Sequence, residues 1–448
     1  MRPLKIDISG VRGVIGETLT PEVIINFSCT FGTYLNSGEV GVGCDTRASR
    51  EMVKSGVLSG LISTGCDIVD FGICPTPIIQ YMTKYLGLRG AVAITASHND
   101  SNWNALKFIK ADGTFLNFYE GEELLDIYHQ GEFFRAEWNK LGKINKYDSA
   151  IEIYVNKLCK YLDTNKIRKR KLKVVVDNCN GAGGVVAKLL LEKLGCELVM
   201  INDEITGEFS HDPEPNPTNM KEVASIIKPV KADIGFMLDA DVDRISICTE
   251  EGKALSEEYT FAILVDYMLS KKRRTVVTNL STTKTIDDLA KKYAVALIRA
   301  KTGQAYVIER MIEEGGIISG EGSGGVAVGD FQYAFDGFLA MGLILQMLAE
   351  KKKKISELAD SLPKYFMVKK KIECSTEVIY SVIDKVKESY KIANMDLTDG
   401  VKVEWKDSWL HIRASNTEPL IRVITESCSK DKAEELCVTA VDKIKAVI

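Results

Sequence analysis

Short apolar runs, each closed by a polar turn and followed by residues with helical spacing, recur along the chain. "EVGVGCDTRASR" (39–50) reads as a strand, a turn and the start of a helix. "LKVVVDNCNGAGG" (172–184) repeats the pattern and leads into the amphipathic "VVAKLLLEKLG", and "RTVVTNLSTTKTIDDLAKKY" (274–293) is a third case. Val- and Ile-rich strands feeding amphipathic helices predict βαβ units with mostly parallel sheets. The last part of the chain differs. "EVIYSVIDKVKESY" (377–390) has helical spacing, "VKVEWKDSWLHIRAS" (401–415) predicts a hairpin, and "DKAEELCVTAVDKIKAVI" (431–448) predicts an amphipathic helix. The expected fold is α/β: three similar domains with mixed, mostly parallel sheets, then a smaller C-terminal α+β domain. The domains are placed at residues 1–146, 147–250, 251–361 and 362–448.

Composition narrows the class. At 448 residues the chain is too long for one core, and 45% hydrophobic with 27% charged residues is ordinary for a soluble globular protein. A formal net charge of −4 speaks against a general nucleic-acid binder. The 11 cysteines form no C-x-x-C pair, which fits a reducing compartment and gives no zinc signature. The N-terminal "MRPLKIDISGVRG" lacks the apolar core of a signal peptide, and no run approaches the ~18 apolar residues of a membrane span. A cytoplasmic protein with no membrane or nucleic-acid partner, monomeric or homodimeric, is expected. The lysines at 351–354 read as a solvated helix end.

Four polar loops sit where strands end, the usual place for ligands of α/β sheets. In "AITASHNDSNW" (93–103) an apolar run stops at Thr95 and presents Ser97 beside His98. This is either a polar turn or a nucleophile. A Ser97–His98 base pair ranks low, because adjacent residues rarely bring the imidazole onto the hydroxyl. In "GFMLDADVDRISI" (235–247) Asp239, Asp241 and Asp243 fall within five residues, and such carboxylates repel unless a cation lies between them. Oxygen ligands suit Mg²⁺ or Mn²⁺. A calcium EF-hand is the rival, since Glu250 falls at its twelfth position, but Arg244 stands where that loop needs Gly. In "IISGEGSGGVAVGD" (317–330) glycines surround Glu321 and Ser323, which could bind adjacent sugar hydroxyls. In "HIRASNTEPLIRV" (411–423) Arg413, Ser415, Asn416 and Thr417, with Arg422 further along, could cradle a phosphate. A hydroxyl, a divalent metal, a polyol binder and a phosphate binder together ask for phosphoryl transfer on a sugar phosphate.

With these motifs the chain resembles the α-D-phosphohexomutase superfamily of phosphoglucomutases, phosphomannomutases and phosphoglucosamine mutases. "TASHND" resembles the active-serine loop, "DADVDR" the metal loop, "GEGSGG" the sugar-binding loop and "RASNTEP" the phosphate loop. "ISGVRG" (8–13) and "DPEPNPT" (212–218) also match, and the six motifs stand in family order along the whole chain. The resemblance implies four domains around a central cleft and a phosphoserine at Ser97. It implies one Mg²⁺ held by Asp239, Asp241, Asp243 and a phosphoserine oxygen, with hexose 1,6-bisphosphate as activator and intermediate. Arg12 and Lys107 would assist proton transfer, Arg244 would lie beside the metal, and Lys301 in "KTGQ" would face the site. His98 becomes a positioning residue or a hydrogen-bond donor to phosphate. The chain departs from the pattern at three places. Asp100 stands where many members have Pro, and Gln304 and Gly325 stand where many have His. The expected activity is an isomerase converting glucosamine 6-phosphate to glucosamine 1-phosphate. Mannose or glucose phosphates are the alternative, and a non-catalytic phosphosugar-binding protein or a phosphatase are the rivals from other classes.

Overall fold

The computed structural model describes residues 4–7, 10–375, 377–390, 394–415 and 420–448. It divides into two compact units, Met1–Leu264 with Ser323–Ala359, and Val265–Gly322 with Asp360–Ile448.

The first unit contains a seven-stranded sheet in the order Lys5–Asp7, Gly10–Val14, Trp103–Lys110, Gly90–Ile94, Gly38–Cys44, Cys66–Ile73, Ile144–Lys146. Pairing is parallel from Gly90–Ile94 through to Ile144–Lys146. It is antiparallel from Lys5–Asp7 through to Gly90–Ile94. The sheet is therefore mixed, with three pairings of each kind. Gly90–Ile94 sits where the two halves meet and is buried at every position, as its unbroken apolar run requires. Helices Pro21–Leu35, Arg50–Ser63 and Phe118–Gln130 each turn an apolar face to the sheet, giving a core that includes Phe27, Phe31, Val42, Val92, Ile94 and Leu106. Burying each such side chain contributes roughly 1.5–3 kcal/mol. The helix Pro21–Leu35 starts where local chemistry predicts. Thr20 accepts the Val23 N–H, proline fills the first position, and Asn36 closes the helix in the left-handed region.

A second sheet in this unit runs Ile245–Thr249, Ile234–Leu238, Lys173–Asp177, Glu197–Ile201. The last three strands are parallel, and Ile245–Thr249 folds back antiparallel on Ile234–Leu238. That fold-back leaves residues 239–244 at the tip of a hairpin.

In the second unit Leu297–Ala300, Val276–Asn279 and Ile318–Gly320 pair in parallel, with helices Thr285–Tyr293 and Gln304–Glu313 between them in sequence. The C-terminal sheet is antiparallel throughout, in the order Phe366–Glu373, Leu420–Ser427, Ser408–Ala414, Val401–Glu404, Asn394–Asp396. Helices Ile379–Glu388 and Lys430–Lys445 contribute Ile383, Val386 and Ile444 to a core with Val403, Leu410 and Val423. The strand-turn-helix patterns, the hairpin and the terminal helix all lie where the sequence places them. Lys351 to Lys354 are exposed at the end of helix Gly337–Lys351. All 11 cysteines are unpaired. Among the described residues no helix is long and apolar enough to cross a membrane.

Candidate active site

The first unit brings together Ser97, the three aspartates and Lys107. Strand Gly90–Ile94 ends at Thr95, whose hydroxyl donates to Asp45 Oδ2 at 2.6 Å and accepts the Ser97 N–H at 3.0 Å. Ser97 is 3% exposed and has φ of 51°, in the left-handed region that non-glycine residues seldom occupy. Its hydroxyl donates to Asp239 Oδ2 at 2.6 Å, and Asp243 Oδ1 lies at 3.4 Å. His98 Nδ1 is also 3.4 Å from Ser97 Oγ, nearer than adjacency suggests but too long to be the hydroxyl's main partner.

The aspartates hang on the hairpin tip. Val242 at its apex has φ of 64°, a strained value for a β-branched residue. Neighbours fix it there. The Thr76 N–H donates to Asp241 O, the Gly337 N–H to Val242 O, and the Ala182 N–H to Ala240 O. Arg244 N–H donates to Asp239 Oδ1 at 3.0 Å, so the loop closes on its own first carboxylate. Lys107, on the buried strand Trp103–Lys110, reaches Asp241 Oδ2 at 2.7 Å and Asp243 Oδ2 at 3.0 Å. Thr76 Oγ1 donates to Asp241 Oδ2 as well. Arg12, on the neighbouring strand, donates from Nη1 to Asn99 Oδ1 in the serine loop. That strand begins at Gly10 (φ 145°), where any Cβ would lie 1.8 Å from Leu106 O. Ile8 and Ser9 of the same motif lie outside the described residues. Arg244 Nε is 3.8 Å from Asp243 Oδ1.

Burial, then Asp243 and Asp241, push the Asp239 carboxyl well above the usual carboxylate range. Burial acts the same way on Asp243, but Lys107 and Arg244 outweigh it and bring that carboxyl down to about 2. Burial opposes the charge on Lys107, and Asp241 and Asp243 more than restore it, raising its pKa. Oxygens of Asp239, Asp241 and Asp243 all lie within 4.8 Å of one another, a group able to hold a metal ion. Asp241 Oδ1 is buried with no hydrogen-bond partner. An unpartnered carboxylate oxygen within three clustered carboxylates is a donor set that fits a hard divalent ion. Ser323 belongs to the same unit, and its buried Oγ has no hydrogen-bond partner. The neighbouring Gly325 is dictated by packing, since a Cβ there would lie 2.4 Å from the Phe335 ring.

The second unit holds the remaining sequence-predicted residues that the structure describes. Glu321 accepts the Gly303 N–H at 2.6 Å, at the start of helix Gln304–Glu313. Gln304 keeps a buried Nε2 without a partner. Lys301 is exposed, with Nζ 5.6 Å from the Tyr306 ring centre. Arg413 stands directly across the strand pair from Arg422. Like charges so placed destabilise a sheet unless an anion lies between them. Arg413 is 7% exposed, its Nη1 donates to Ala414 O at 3.0 Å, and its Nε has no partner. Arg422 Nε donates to Ser415 Oγ at 3.3 Å. Asn416 and Thr417 lie outside the described residues.

Two groups were missed in the sequence. Thr76 touches the metal-loop carboxylate from 165 positions away and has no local signal. Arg47 is fully buried against the serine loop. Its Asp45-x-Arg47 spacing at the end of strand Gly38–Cys44 was the only available cue.

The geometry agrees with what the chain is similar to. Residues 4–135, 152–252 and 256–366 match the alpha/beta/alpha domains I, II and III described for phosphoglucomutase/phosphomannomutase, and residues 349–443 match its C-terminal domain. A "Phosphoglucomutase/phosphomannomutase" of Thermococcus kodakarensis is 38% identical over 95% of both chains. A "Probable phosphoglucosamine mutase" of Pyrococcus horikoshii is 33% identical over 98% of this chain and 97% of the relative. A crystal structure of a phosphoglucomutase/phosphomannomutase family protein from Burkholderia thailandensis superposes with a TM-score of 0.86. It is 27% identical, covering 98% of this chain and 96% of that one. The Aspergillus fumigatus N-acetylphosphoglucosamine mutase, solved with GlcNAc-6P and magnesium, shares the fold at a TM-score of 0.60 and 14% identity, with 99% and 96% of the two chains covered. The chain belongs to the phosphoglucomutase/phosphomannomutase family, the isomerases of the α-D-phosphohexomutase superfamily.

Proposed function

We propose that this phosphohexomutase interconverts glucosamine 6-phosphate and glucosamine 1-phosphate through a phosphoryl group carried on Ser97. The observation that carries the assignment of Ser97 is its buried hydroxyl, 2.6 Å from Asp239 in a cluster of three carboxylates. In each half-reaction the P–Oγ bond of phosphoserine breaks as a P–O bond to the free sugar hydroxyl forms. The hydroxyl proton is given up and Ser97 Oγ takes one, so the step balances without water. The bisphosphorylated sugar, entered from either end, then returns its other phosphate to Ser97. Hexose 1,6-bisphosphate added from outside would charge an unphosphorylated Ser97 by the same step.

Asp239, Asp241 and Asp243, with a phosphoserine oxygen, would hold one Mg²⁺. The ion supplies charge stabilisation at the transferring phosphoryl group. The chain's own residues do the rest. Arg244 adds positive charge beside Asp243. Lys107, hydrogen-bonded to Asp241 and Asp243, is assigned as the proton donor to the departing Oγ and then takes back the proton of the attacking hydroxyl. Arg12 stays charged and orients the loop through Asn99. His98, whose Nδ1 lies 3.4 Å from Ser97 Oγ, is assigned to hydrogen-bond a phosphoryl oxygen. Arg413, Ser415 and Arg422 take the phosphate that is not being transferred, together with Asn416 and Thr417. The unpartnered Nε of Arg413 supports that role. Glu321, Ser323 and Lys301 are assigned to the sugar. The four family matches support four domains at 1–146, 147–250, 251–361 and 362–448.

The relatives named for glucosamine phosphate support that substrate. Glucose or mannose phosphate is the second reading, favoured by the Thermococcus kodakarensis relative at 38% identity. A panel of glucosamine, glucose and mannose 1-phosphates with Mg²⁺ decides between them. The proposal expects kcat/KM for glucosamine 1-phosphate to lead by about tenfold or more, about the net worth of one hydrogen bond. A lead for glucose or mannose overturns the substrate, and phosphate release without isomerisation overturns the mutase.

A further inference from the structure

We propose that Arg47 positions the backbone of the Ser97 loop for phosphoryl transfer, apart from the side-chain contact Arg12 makes with Asn99; the inference rests on Ser97 being the nucleophile. Four backbone carbonyls of the loop converge on one guanidinium. Nη2 donates to Ser97 O at 2.8 Å and Asn99 O at 2.7 Å, and Nη1 donates to Asp100 O at 2.5 Å and Trp103 O at 3.1 Å. Nε donates to Asp45 Oδ2 at 3.0 Å. A guanidinium carries five N–H groups in a planar fork, and all five are used.

The guanidinium itself is shielded, although Asn99 is half-buried and Asp100 is exposed. Arg47 is 0% exposed, and the Phe209 ring covers its guanidinium at 4.7 Å. Phe209 is held there by its own strand of loop, in which Gly207 O accepts the Ala48 N–H.

The clamp controls the backbone of Ser97 at both ends. Arg47 takes its carbonyl directly. Its N–H goes to Thr95 Oγ1, whose own proton goes to Asp45 Oδ2, the oxygen that also accepts from Arg47. Ser97 is thereby kept at a φ of 51°, which turns its Oγ onto Asp239. A right-handed backbone would aim the hydroxyl elsewhere. The antiparallel neighbour strand depends on the same group, because Trp103 O, where that strand begins, is one of the four carbonyls.

Among the described residues, the side-chain hydrogen bonds of Arg47 go to Asp45 and the serine loop, and none goes to the carboxylate cluster or to a residue assigned to the sugar or its distal phosphate. Its loss therefore separates rate from binding. Displacing a reacting group by about 1 Å costs about 10²-fold.

The test compares Arg47→Lys, Arg47→Gly, Asp45→Asn and Ser97→Ala in the full chain with Mg²⁺, using the hexose 1-phosphate that the wild type turns over fastest. Thermal midpoint and Ser97 phosphate content by mass spectrometry are recorded alongside. Lysine keeps the charge but offers three N–H groups and no fork. Arg47→Lys is expected to lose about 10²-fold in kcat with KM within about twofold of wild type. Arg47→Gly is expected to lose more, and added guanidinium is expected to restore about tenfold or more of its kcat while leaving Arg47→Lys unchanged. Should Arg47→Gly fail to fold, Asp45→Asn carries the same question with the shape kept, and about a tenfold fall in kcat at constant KM is expected. Wild-type kcat in Arg47→Lys or Asp45→Asn overturns the clamp, as does an Arg47→Gly loss that guanidinium does not relieve and that raises KM in parallel. Ser97→Ala tells the two readings apart. A dead Ser97→Ala beside a fully active Arg47→Lys defeats the clamp alone, whereas a fully active Ser97→Ala defeats the nucleophile.

Discussion

Two arginines are buried almost equally, and they are bonded in opposite ways. Arg47 is 0% exposed and spends all five N–H groups on the protein. Arg413 is 7% exposed, faces Arg422 across a strand pair, and leaves Nε without a partner. Burial sets the cost of each charge, and the pattern of partners shows what compensates it. A saturated guanidinium holds its own chain in place. An unsaturated one beside a like charge fits the anion-binding role proposed for Arg413. The carboxylate cluster repeats the second pattern with opposite sign, with an orphaned Asp241 Oδ1 and an Asp239 carboxyl pushed well above its usual range by burial and its neighbours.

Substitutions that separate the two kinds of site test this contrast. The largest effect is expected for Ser97→Ala, at least about 10⁴-fold in kcat, because the covalent carrier is removed. Next comes Asp241→Asn, which keeps the shape and removes the charge. About 10²- to 10³-fold in kcat is expected, with a higher Mg²⁺ requirement measured by titration. Arg47→Lys follows at about 10²-fold, confined to kcat. Arg413→Lys is expected to do the reverse, raising KM by about ten- to a hundredfold with a smaller change in kcat, since a point charge replaces a fork. Equal effects on KM from the two arginine variants would break the comparison.

The smallest effect on activity is expected at His411, in the second unit. Its Nε2 lies 2.6 Å from Asp399 O and Nδ1 lies 2.8 Å from Ser281 Oγ, so Nε2 carries the proton and Nδ1 accepts. Burial brings its pKa down from 6.5 to about 4. The unfolded chain therefore binds the extra proton first. The stabilisation is complete above about pH 6.5 and is lost as pH falls from there towards 4, amounting to about 3 kcal/mol. Thermal unfolding across that range should show a steeper decline for wild type than for His411→Asn, with mutase activity at neutral pH little changed in the variant. Parallel declines would contradict the assignment.

Legibility in the sequence followed locality. "GFMLDADVDRISI" carries both the buried strand and the spaced carboxylates, so the hairpin and its carboxylate cluster could be read from thirteen adjacent letters. Strand, turn and helix came from periodicity for the same reason. Ser97 was less legible. "TASHND" allowed a turn or a nucleophile, and the observation that supports the second is the bond to Asp239, 142 positions later. The antiparallel half of the first sheet was also hidden, because the partners of Trp103–Lys110 are set by long-range pairing and not by its own letters. Arg47 was the least readable. Its partners are carbonyls, which every residue has, so no side-chain pattern marks them. Gly325 reads as a departure from the family and is explained by the Phe335 ring that fills the space.

The account stands on Ser97 as the phosphoryl carrier. Phosphopeptide mass spectrometry of the wild-type chain, before and after incubation with hexose 1,6-bisphosphate and Mg²⁺, tests it most directly. One phosphate on Ser97, raised by the bisphosphate and absent from Ser97→Ala, is the predicted result. A phosphate on another residue, or full mutase turnover with Ser97 unmodified throughout, would contradict it.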